Sequence, residues 1–409
     1  MQAVIIAAGE SSRFWPLNKD HKSLLKILGK PLIYWTIKGL AESGIKDIVV
    51  VCRPNSAIPG EVGDGKELGA TIFYVYQEQS LGTGNALWQA KDHVTEPFFV
   101  MWPNKVNSRE IVSEMRLNIE QEGAEAVLVG AETHAPWDYG VLKLNGSSVE
   151  GVVENPKPGT EPSNIKAIGA YFFKEDFFSY YAGLTRHHEA DFIDAINYYL
   201  KEKTASVVIL KEDVPALKYP WEVFSLMDIL FKTSLRTDVA SSAKLEEGVI
   251  ARNFFSIGEN TIIRSGTIIE GPCFIGANCD IGPHNVIRGP VSIGDNVKTG
   301  AFCEIKRSII QEGAHLHSGY MGNSIVGKNC HFGAGFVTAN RRFDRKNVDV
   351  VIKGQKIDTK LSSLGAVIGD NTHFGVHSAT MPGVLIGSDC TIGPGVQVFE
   401  NVQDGLTKK

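Results

Sequence analysis

Cysteine is sparse and scattered: six in 409 residues, at Cys52, Cys273, Cys279, Cys303, Cys330 and Cys390. No Cys-x-x-Cys pair occurs, which excludes a disulfide frame and a zinc ribbon and points to buried thiols in a reducing compartment. Charge of one sign never accumulates. The net charge is -5 and no block of five like charges appears, which argues against a nucleic-acid reader. No apolar run is long enough to span a membrane. The start, MQAVIIAAGESSR, has no basic leader and passes straight from an apolar run into Gly and Ser, so it reads as the first strand and loop of a cytoplasmic protein. The remaining composition, 43% hydrophobic and 21% charged, excludes disorder and fibres. The length exceeds what one core normally serves, so two domains are expected.

What is present is an uneven distribution of glycine and a six-residue period. Isoleucine recurs at Ile257, Ile263, Ile269, Ile275, Ile281, Ile287 and Ile293, and the register returns as Ile368, Phe374, Thr380, Ile386, Ile392 and Val398. Gly follows many of these residues, as in Ile257-Gly258, Ile275-Gly276 and Ile386-Gly387. A helix with 3.6 residues per turn cannot produce this period, nor can a simple alternating strand. Short parallel strands wound into a solenoid can, with one aliphatic side chain per step pointing inward and Gly or Asn at the corners. The pattern resembles the left-handed parallel β-helix of hexapeptide-repeat acyltransferases, with three hexapeptides per coil.

The front half alternates differently. Continuous apolar runs at Ala3–Ala7, Ile48–Val51, Phe98–Met101 and Ala126–Val129 suit buried strands. Helices are expected at Pro31–Ser43, Gly84–Lys91, Ser108–Glu122 and Trp221–Ser234. The expected architecture is therefore an α/β, Rossmann-like domain over residues 1–236, a polar linker over 237–250 and the β-helix over 251–409.

The first strand is followed by Ala7-Ala8-Gly9-Glu10-Ser11-Ser12-Arg13. Small residues let backbone amides approach a phosphate, and Arg13 can pair with it. Next come His21-Lys22-Ser23-Leu24-Leu25, Gly29-Lys30-Pro31-Leu32, Gln77 and Gly82-Thr83-Gly84, then Tyr139-Gly140, Val153-Glu154-Asn155-Pro156 and Pro162-Ser163-Asn164. In this order, over roughly Met1 to Leu230, these motifs resemble the sugar-1-phosphate nucleotidylyltransferase family. The resemblance implies that Ala7, Ala8 and Gly9 hold a nucleotide through their backbone. It implies that Arg13 and Lys22 neutralise the phosphates and that Gln77, Gly82 and Thr83 line the base. Gly140, Glu154 and Asn164 would bind the sugar. The implied reaction joins a sugar 1-phosphate to UTP or dTTP and releases pyrophosphate, with Mg²⁺ as the implied metal. The chain departs from the family's pattern at four places. Ser11 stands where a second Gly is usual, and Asn155 replaces a lysine. Asn104, beside Lys105, and Glu222 fall where the metal ligands belong.

In the β-helix half, repeats become irregular between Gly300 and Thr359. Two runs there, His315-Leu316-His317-Ser318-Gly319-Tyr320 and His331-Phe332-Gly333-Ala334-Gly335, are followed by Asn340. These resemble the acetyltransferase half of the bifunctional enzymes that make UDP-N-acetylglucosamine. The resemblance implies His317 as general base, with Tyr320 its neighbour, Arg288 and Lys306 gripping the sugar phosphate, and Asn340 binding the acceptor. Acetyl-coenzyme A would be co-substrate, and the related enzymes pack as homotrimers. A neutral imidazole suits proton removal from an attacking amine. Two other readings stay open: an acetyltransferase whose front domain only binds nucleotide or sugar, and a non-catalytic sugar-nucleotide-binding assembly protein. No nucleic-acid or membrane partner is expected.

Overall fold

The computed structural model describes residues 1–212 and 215–409. Its internal contacts divide the chain into two compact units: Met1–Glu10 with Pro31–Ala216, and Ser11–Lys30 with Leu217–Lys409. The segments 11–30 and 217–236, assigned to the front domain from sequence, thus cluster with the β-helix.

The first unit is built on nine strands: β1 Gln2–Ile6, β2 Asp47–Cys52, β3 Thr71–Tyr76, β4 Phe98–Met101, β5 Ala126–Glu132, β6 Gly140–Asn145, β7 Ser148–Glu154, β8 Ile165–Phe173 and β9 Ala205–Leu210. Their order across the sheet is β3-β2-β1-β4-β8-β5-β9-β7-β6. The apolar runs read from sequence are these strands, and β1 to β4 run parallel as such runs predict. The sheet is nevertheless mixed: β8 pairs antiparallel with both β4 and β5. The expected helices form as α1 Leu32–Glu42, α2 Thr83–Trp88 and α3 Ser108–Glu122. Gly39 of α1 lets α3 approach so closely that a Cβ there would lie 2.2 Å from Ser108 Oγ, and that hydroxyl donates to Thr36 O at 2.7 Å. A further helix, α4 Asp191–Tyr199, buries Phe192 and Tyr199 against Phe173 of β8.

The second unit carries three parallel sheets of eight, nine and eight short strands. Ile257 pairs with Ile275 and Ile275 with Ile293, Ile263 pairs with Ile281, and Ile269 pairs with Ile287 and Ile287 with Ile305. Each inward residue therefore stacks on the one a full coil away, and all of these isoleucines are buried. The periodic signal and the core are the same residues. The stretch 237–250, read as a linker from its polarity, already forms coil: Asp238–Val239 and Lys244–Leu245 pair with 256–257 and 262–263. The irregularity after Gly300 is mostly a shortened coil. Ile293 pairs with Ile310 and Leu316 with Phe332, and the chain leaves the helix only after Thr338. It returns after a hairpin of Asp349–Ile352 and Gln355–Asp358. Helix Val223–Thr233 is fastened to the coils by Asp228, which accepts from both terminal nitrogens of Arg307 at 3.1 and 2.8 Å.

Phe332, Phe336 and Phe374 close the core where the coil narrows, with ring centroids 4.6 to 5.0 Å apart. Phe332→Ala removes the shared ring. It is expected to cost about 3–5 kcal/mol, read as a lower urea midpoint, because the rigid coils cannot collapse into the void. An unchanged midpoint would contradict this packing.

All six cysteines are free and buried. Burial pushes the Cys52 and Cys279 thiols up to about 11, so neither is a reactive thiolate at neutral pH. Among the described residues no helix is long and apolar enough to cross a membrane.

Candidate functional site

In an α/β sheet, ligands bind beyond the carboxyl ends of the parallel strands. In the first unit Ala7, Ala8 and Gly9 follow β1, Gln77 follows β3 and Asn104 follows β4. Ala7 and Ala8 are buried, and Ala7 donates its amide to Val51 O at 2.7 Å. A Cβ on Gly9 would meet nothing within 4 Å, so its backbone faces open space. Gln77 is buried. Its Nε2 donates to Gly82 O and Asn85 Oδ1, both at 3.0 Å. Its side-chain nitrogen is thus occupied in holding the 82–85 turn. Gly82 has φ +92, and a Cβ there would strike Glu189 O at 2.3 Å, so glycine is required. Thr83 opens α2 beside it.

A second cluster of the same unit lies on β6, β7 and β8. Gly140 pairs with Glu154, and a Cβ on Gly140 would lie 2.6 Å from Glu154 Oε2. Lys166, buried in β8, places its ammonium 4.5 Å from the Tyr139 ring centroid. Asn155 adopts φ +44, which asparagine tolerates, and its Nδ2 donates to Glu154 Oε1 at 3.2 Å. Where the family has a lysine, this chain therefore has a turn residue that orients a neighbouring carboxylate. Asn164 is exposed at the start of β8. Sequence reasoning missed Lys166. Its signal was a charge inside the apolar run Ile165–Phe173.

Arg13 and Lys22 lie in the second unit. Arg13 is exposed in a single 3-10 turn anchored by buried Phe14. Lys22 donates its ammonium to Leu217 O at 2.9 Å, and its amide donates to Ser11 Oγ at 3.1 Å. The serine that replaces glycine thus ties the loop to the turn carrying Lys22. Burial depresses the Lys22 pKa to about 8. Glu222 opposes the shift, while Arg13 and Lys218 add to it.

The residues expected to hold Mg²⁺ do not fit one. Asn104 is fully buried and donates Nδ2 to Pro215 O at 3.0 Å, leaving Oδ1 unpartnered. It is a neutral oxygen, and the adjacent Lys105 is buried too. Glu222 Oε2 accepts the backbone N–H groups of Lys218 and Tyr219, capping the turn before helix Val223–Thr233, and burial raises its pKa. One neutral oxygen and a carboxylate already engaged with backbone are not the hard anionic set Mg²⁺ takes from proteins. No cluster of three His, Cys, Asp or Glu suited to a metal occurs among the described residues.

On one face of the β-helix, Arg288, Lys306 and Gly322 occupy one register column, and Glu304 and Tyr320 the next. Arg288 pairs with Glu304, and its Nε is buried without a partner. Tyr320 Oη accepts from Asn340 Nδ2 at 3.1 Å, and the same nitrogen donates to Asn323 Oδ1 at 2.8 Å. Four residues predicted from sequence, Arg288, Lys306, Tyr320 and Asn340, therefore share one face, joined by Glu304 and Asn323, which were not anticipated. His317 sits exposed at the corner that leads into the Tyr320 strand, held by its amide on Phe332 O at 2.9 Å. His315, two residues earlier, belongs to the neighbouring face, where His315, His331 and His373 stack on successive coils with centroids 5.9 and 4.9 Å apart.

The fold and these clusters define the class: an α/β nucleotide-type domain continued by a left-handed parallel β-helix. The Nucleotidyl transferase family model matches residues 2–247, and the chain belongs to that family. A GMPPB C-terminal domain model matches 269–373 and a hexapeptide repeat of succinyl-transferase matches 365–400. The chain is 32% identical over 99% of both lengths to a bifunctional sugar-1-phosphate nucleotidylyltransferase/acetyltransferase of Sulfurisphaera tokodaii. It is 33% identical to the bifunctional protein GlmU of Methanococcus maripaludis, over 98% of this chain and 96% of that one. A solved UDP-glucose pyrophosphorylase from Acinetobacter baumanii shares the fold of the front half, with TM-score 0.50 and 20% identity over 57% of this chain and 94% of that one.

Proposed function

We propose that the chain is a two-site enzyme of nucleotide-sugar synthesis. One site acetylates an amino-sugar 1-phosphate from acetyl-coenzyme A. The other couples a sugar 1-phosphate to UTP or dTTP. The observation that carries the reading is similarity along the whole chain to a bifunctional enzyme, joined to the polar face of Arg288, Lys306, Tyr320 and Asn340 on the β-helix.

In the coupling step a phosphate oxygen of the sugar attacks the α-phosphorus and pyrophosphate leaves. Ala7, Ala8 and Gly9 present backbone to the nucleotide, with Gln77, Gly82 and Thr83 at the base. Arg13 and Lys22 neutralise the phosphates, and Gly140, Glu154 and Asn164 receive the sugar. Positioning and charge account for such a transfer. In the acetyl step the His317 imidazole removes a proton as the amine attacks the thioester. The C–S bond breaks and the proton passes to the departing thiolate. Arg288 and Lys306 hold the acceptor's phosphate, and Asn340 its polar edge. The nucleotidyl site is assigned to residues 1–236 and the acetyl site to 251–409. The chain is placed in the cytoplasm as a homotrimer.

The Lys22 shift gives a pH signature. Its charge is complete well below pH 8 and lost above it, so UTP affinity should fall about tenfold from pH 8 to pH 9.5, while Lys22→Arg stays flat. Calorimetric titration across this range checks it, and parallel profiles for both proteins would contradict the role. The linked stability term has the opposite direction. Between about pH 8 and 10.5 the unfolded chain holds more protons at Lys22, so folding is favoured as pH rises through that window.

An acetyltransferase-only reading is favoured by one observation, the engagement of Glu222 by backbone. Pyrophosphate release decides between the two. Product from UTP or dTTP with a sugar 1-phosphate supports the two-site enzyme; none, with or without Mg²⁺, supports the alternative.

A further inference from the structure

Within the first unit, the loop between helix Phe177–Ala182 and α4 packs against the turn that opens α2. A Cβ on Gly82 would strike Glu189 O at 2.3 Å, and one on Gly84 would lie 2.2 Å from Asp191 Oδ1. Asp191 is fully buried. Its Oδ2 accepts from Tyr181 Oη at 2.7 Å and from His187 Nδ1 at 3.0 Å, while Oδ1 has no hydrogen-bond partner among the described residues. Gln77 holds the same turn through Gly82 O and Asn85 Oδ1. Contacts this close leave no slack, so residues 187–191 and the Gly82–Gly84 turn move together.

The same loop and α4 line a cavity of about 550 Å³. Its polar groups are unequally engaged. Asn197 spends its amide on both backbone groups of Val152, at 2.8 and 2.9 Å. His188 accepts the Ala190 amide on Nδ1 at 3.2 Å and donates Nε2 to Asp194 at 2.7 Å, so the one carboxylate of the lining is taken. Arg186 and Lys201 are exposed in the lining, and among the described residues neither pairs with a carboxylate. Half-buried Leu184 and Tyr198 give the cavity an apolar wall.

We propose that this cavity is a second binding site of the first unit, which takes the phosphate ester of a sugar, and that its occupation tightens nucleotide binding by fixing the 187–191 loop. Arg186 supplies a planar donor fork and Lys201 a compact ammonium for one phosphate. Tyr198 offers a ring face to the carbon skeleton of the ester. Arg186 adjoins His187, which holds Asp191, so an anion bound on Arg186 restrains the segment that abuts Gly82 and Gly84. By linkage, the nucleotide tightens the sugar phosphate by the same factor. The coupling, unlike the cavity site, rests on the nucleotidyl reading of the front half.

The test titrates glucose 6-phosphate, and separately inorganic phosphate, into the full chain as wild type, Arg186→Ala, Lys201→Ala and Arg186→Lys. UTP is then titrated with and without saturating glucose 6-phosphate. Expected are about tenfold weaker glucose 6-phosphate binding by each Ala variant, part recovery in Arg186→Lys, and weaker binding of inorganic phosphate, which leaves Tyr198 uncovered. UTP should bind the wild type about fivefold tighter beside glucose 6-phosphate, and equally with and without it in the Ala variants. Without glucose 6-phosphate all four proteins should bind UTP alike, which certifies the fold. Equal glucose 6-phosphate affinity in wild type and both Ala variants, or mutual exclusion with UTP, would overturn the second site. Inorganic phosphate bound as tightly as the ester would overturn the sugar assignment. Saturable binding that leaves UTP affinity untouched would overturn the coupling. Glucose 6-phosphate bound at Arg186 and Lys201 with no UTP binding by the wild type would overturn the nucleotidyl reading and support the cavity site. Weakened binding with equal loss of thermal stability would make both cations structural and overturn their phosphate role.

Discussion

His317→Ala is expected to lower acetyl transfer to an amino-sugar 1-phosphate by about 10²- to 10⁴-fold, the range a positioned general base supplies, with pyrophosphate release unaltered. The imidazole is exposed at a corner, so its removal leaves no cavity, and the coil is held there by the His317 amide, which alanine keeps. The loss should therefore fall on kcat, with no change in the urea midpoint. His315→Ala serves as the internal control, because His315 points from a neighbouring face in the stack with His331 and His373. Acetyl transfer that survives in His317→Ala and fails in His315→Ala would reassign the base.

Lys22→Ala is expected to lower nucleotidyl transfer by about 10²- to 10³-fold, comparable to removing one preorganised charge-stabilising donor, and to leave acetyl transfer intact. Lys22 is a half-buried cation whose only direct side-chain bond among the described residues is to the Leu217 carbonyl, with the Glu222 carboxylate as its electrostatic counterweight. Such an arrangement holds an ammonium with charge to offer a phosphate, whereas a lysine fully paired with a carboxylate would have none. Alanine also leaves Leu217 O without a donor, so a modest stability loss of about 1–3 kcal/mol should accompany the kinetic effect. Lys22→Arg separates the two by keeping the donor. Unaltered pyrophosphate release in Lys22→Ala would remove this residue from the site.

The β-helix was legible because its signal is strictly periodic. Each of Ile257, Ile263, Ile269, Ile275, Ile281, Ile287 and Ile293 fills the same slot one step on, and all are buried. The parallel strands β1 to β4 were legible as unbroken apolar runs. The antiparallel course of β8 was not, because a strand buried on both sides reads the same in either direction. Nor was the attachment of segment 11–30 to the coils. Its fastenings, Trp15 to Asp404, Lys19 to Asp389 and Lys26 to Gln311, join single polar residues some 285 to 389 positions apart, and no pattern marks them. The site was readable as ordered motifs, yet what individual side chains do there depends on local geometry. Gln77 holds a turn, Ser11 fastens Lys22 and Glu222 caps a helix. All three roles are set by backbone groups that composition and spacing cannot reveal.

The most direct test of a chain bearing two chemistries is one incubation of the purified protein with glucosamine 1-phosphate, acetyl-coenzyme A and UTP or dTTP, followed for free thiol and for pyrophosphate. The account predicts that both appear, that His317→Ala abolishes thiol release while Lys22→Ala abolishes pyrophosphate release when N-acetylglucosamine 1-phosphate is supplied, and that the wild-type product is a nucleoside diphosphate N-acetyl sugar. Thiol without pyrophosphate for both nucleotides, or neither product, would contradict it.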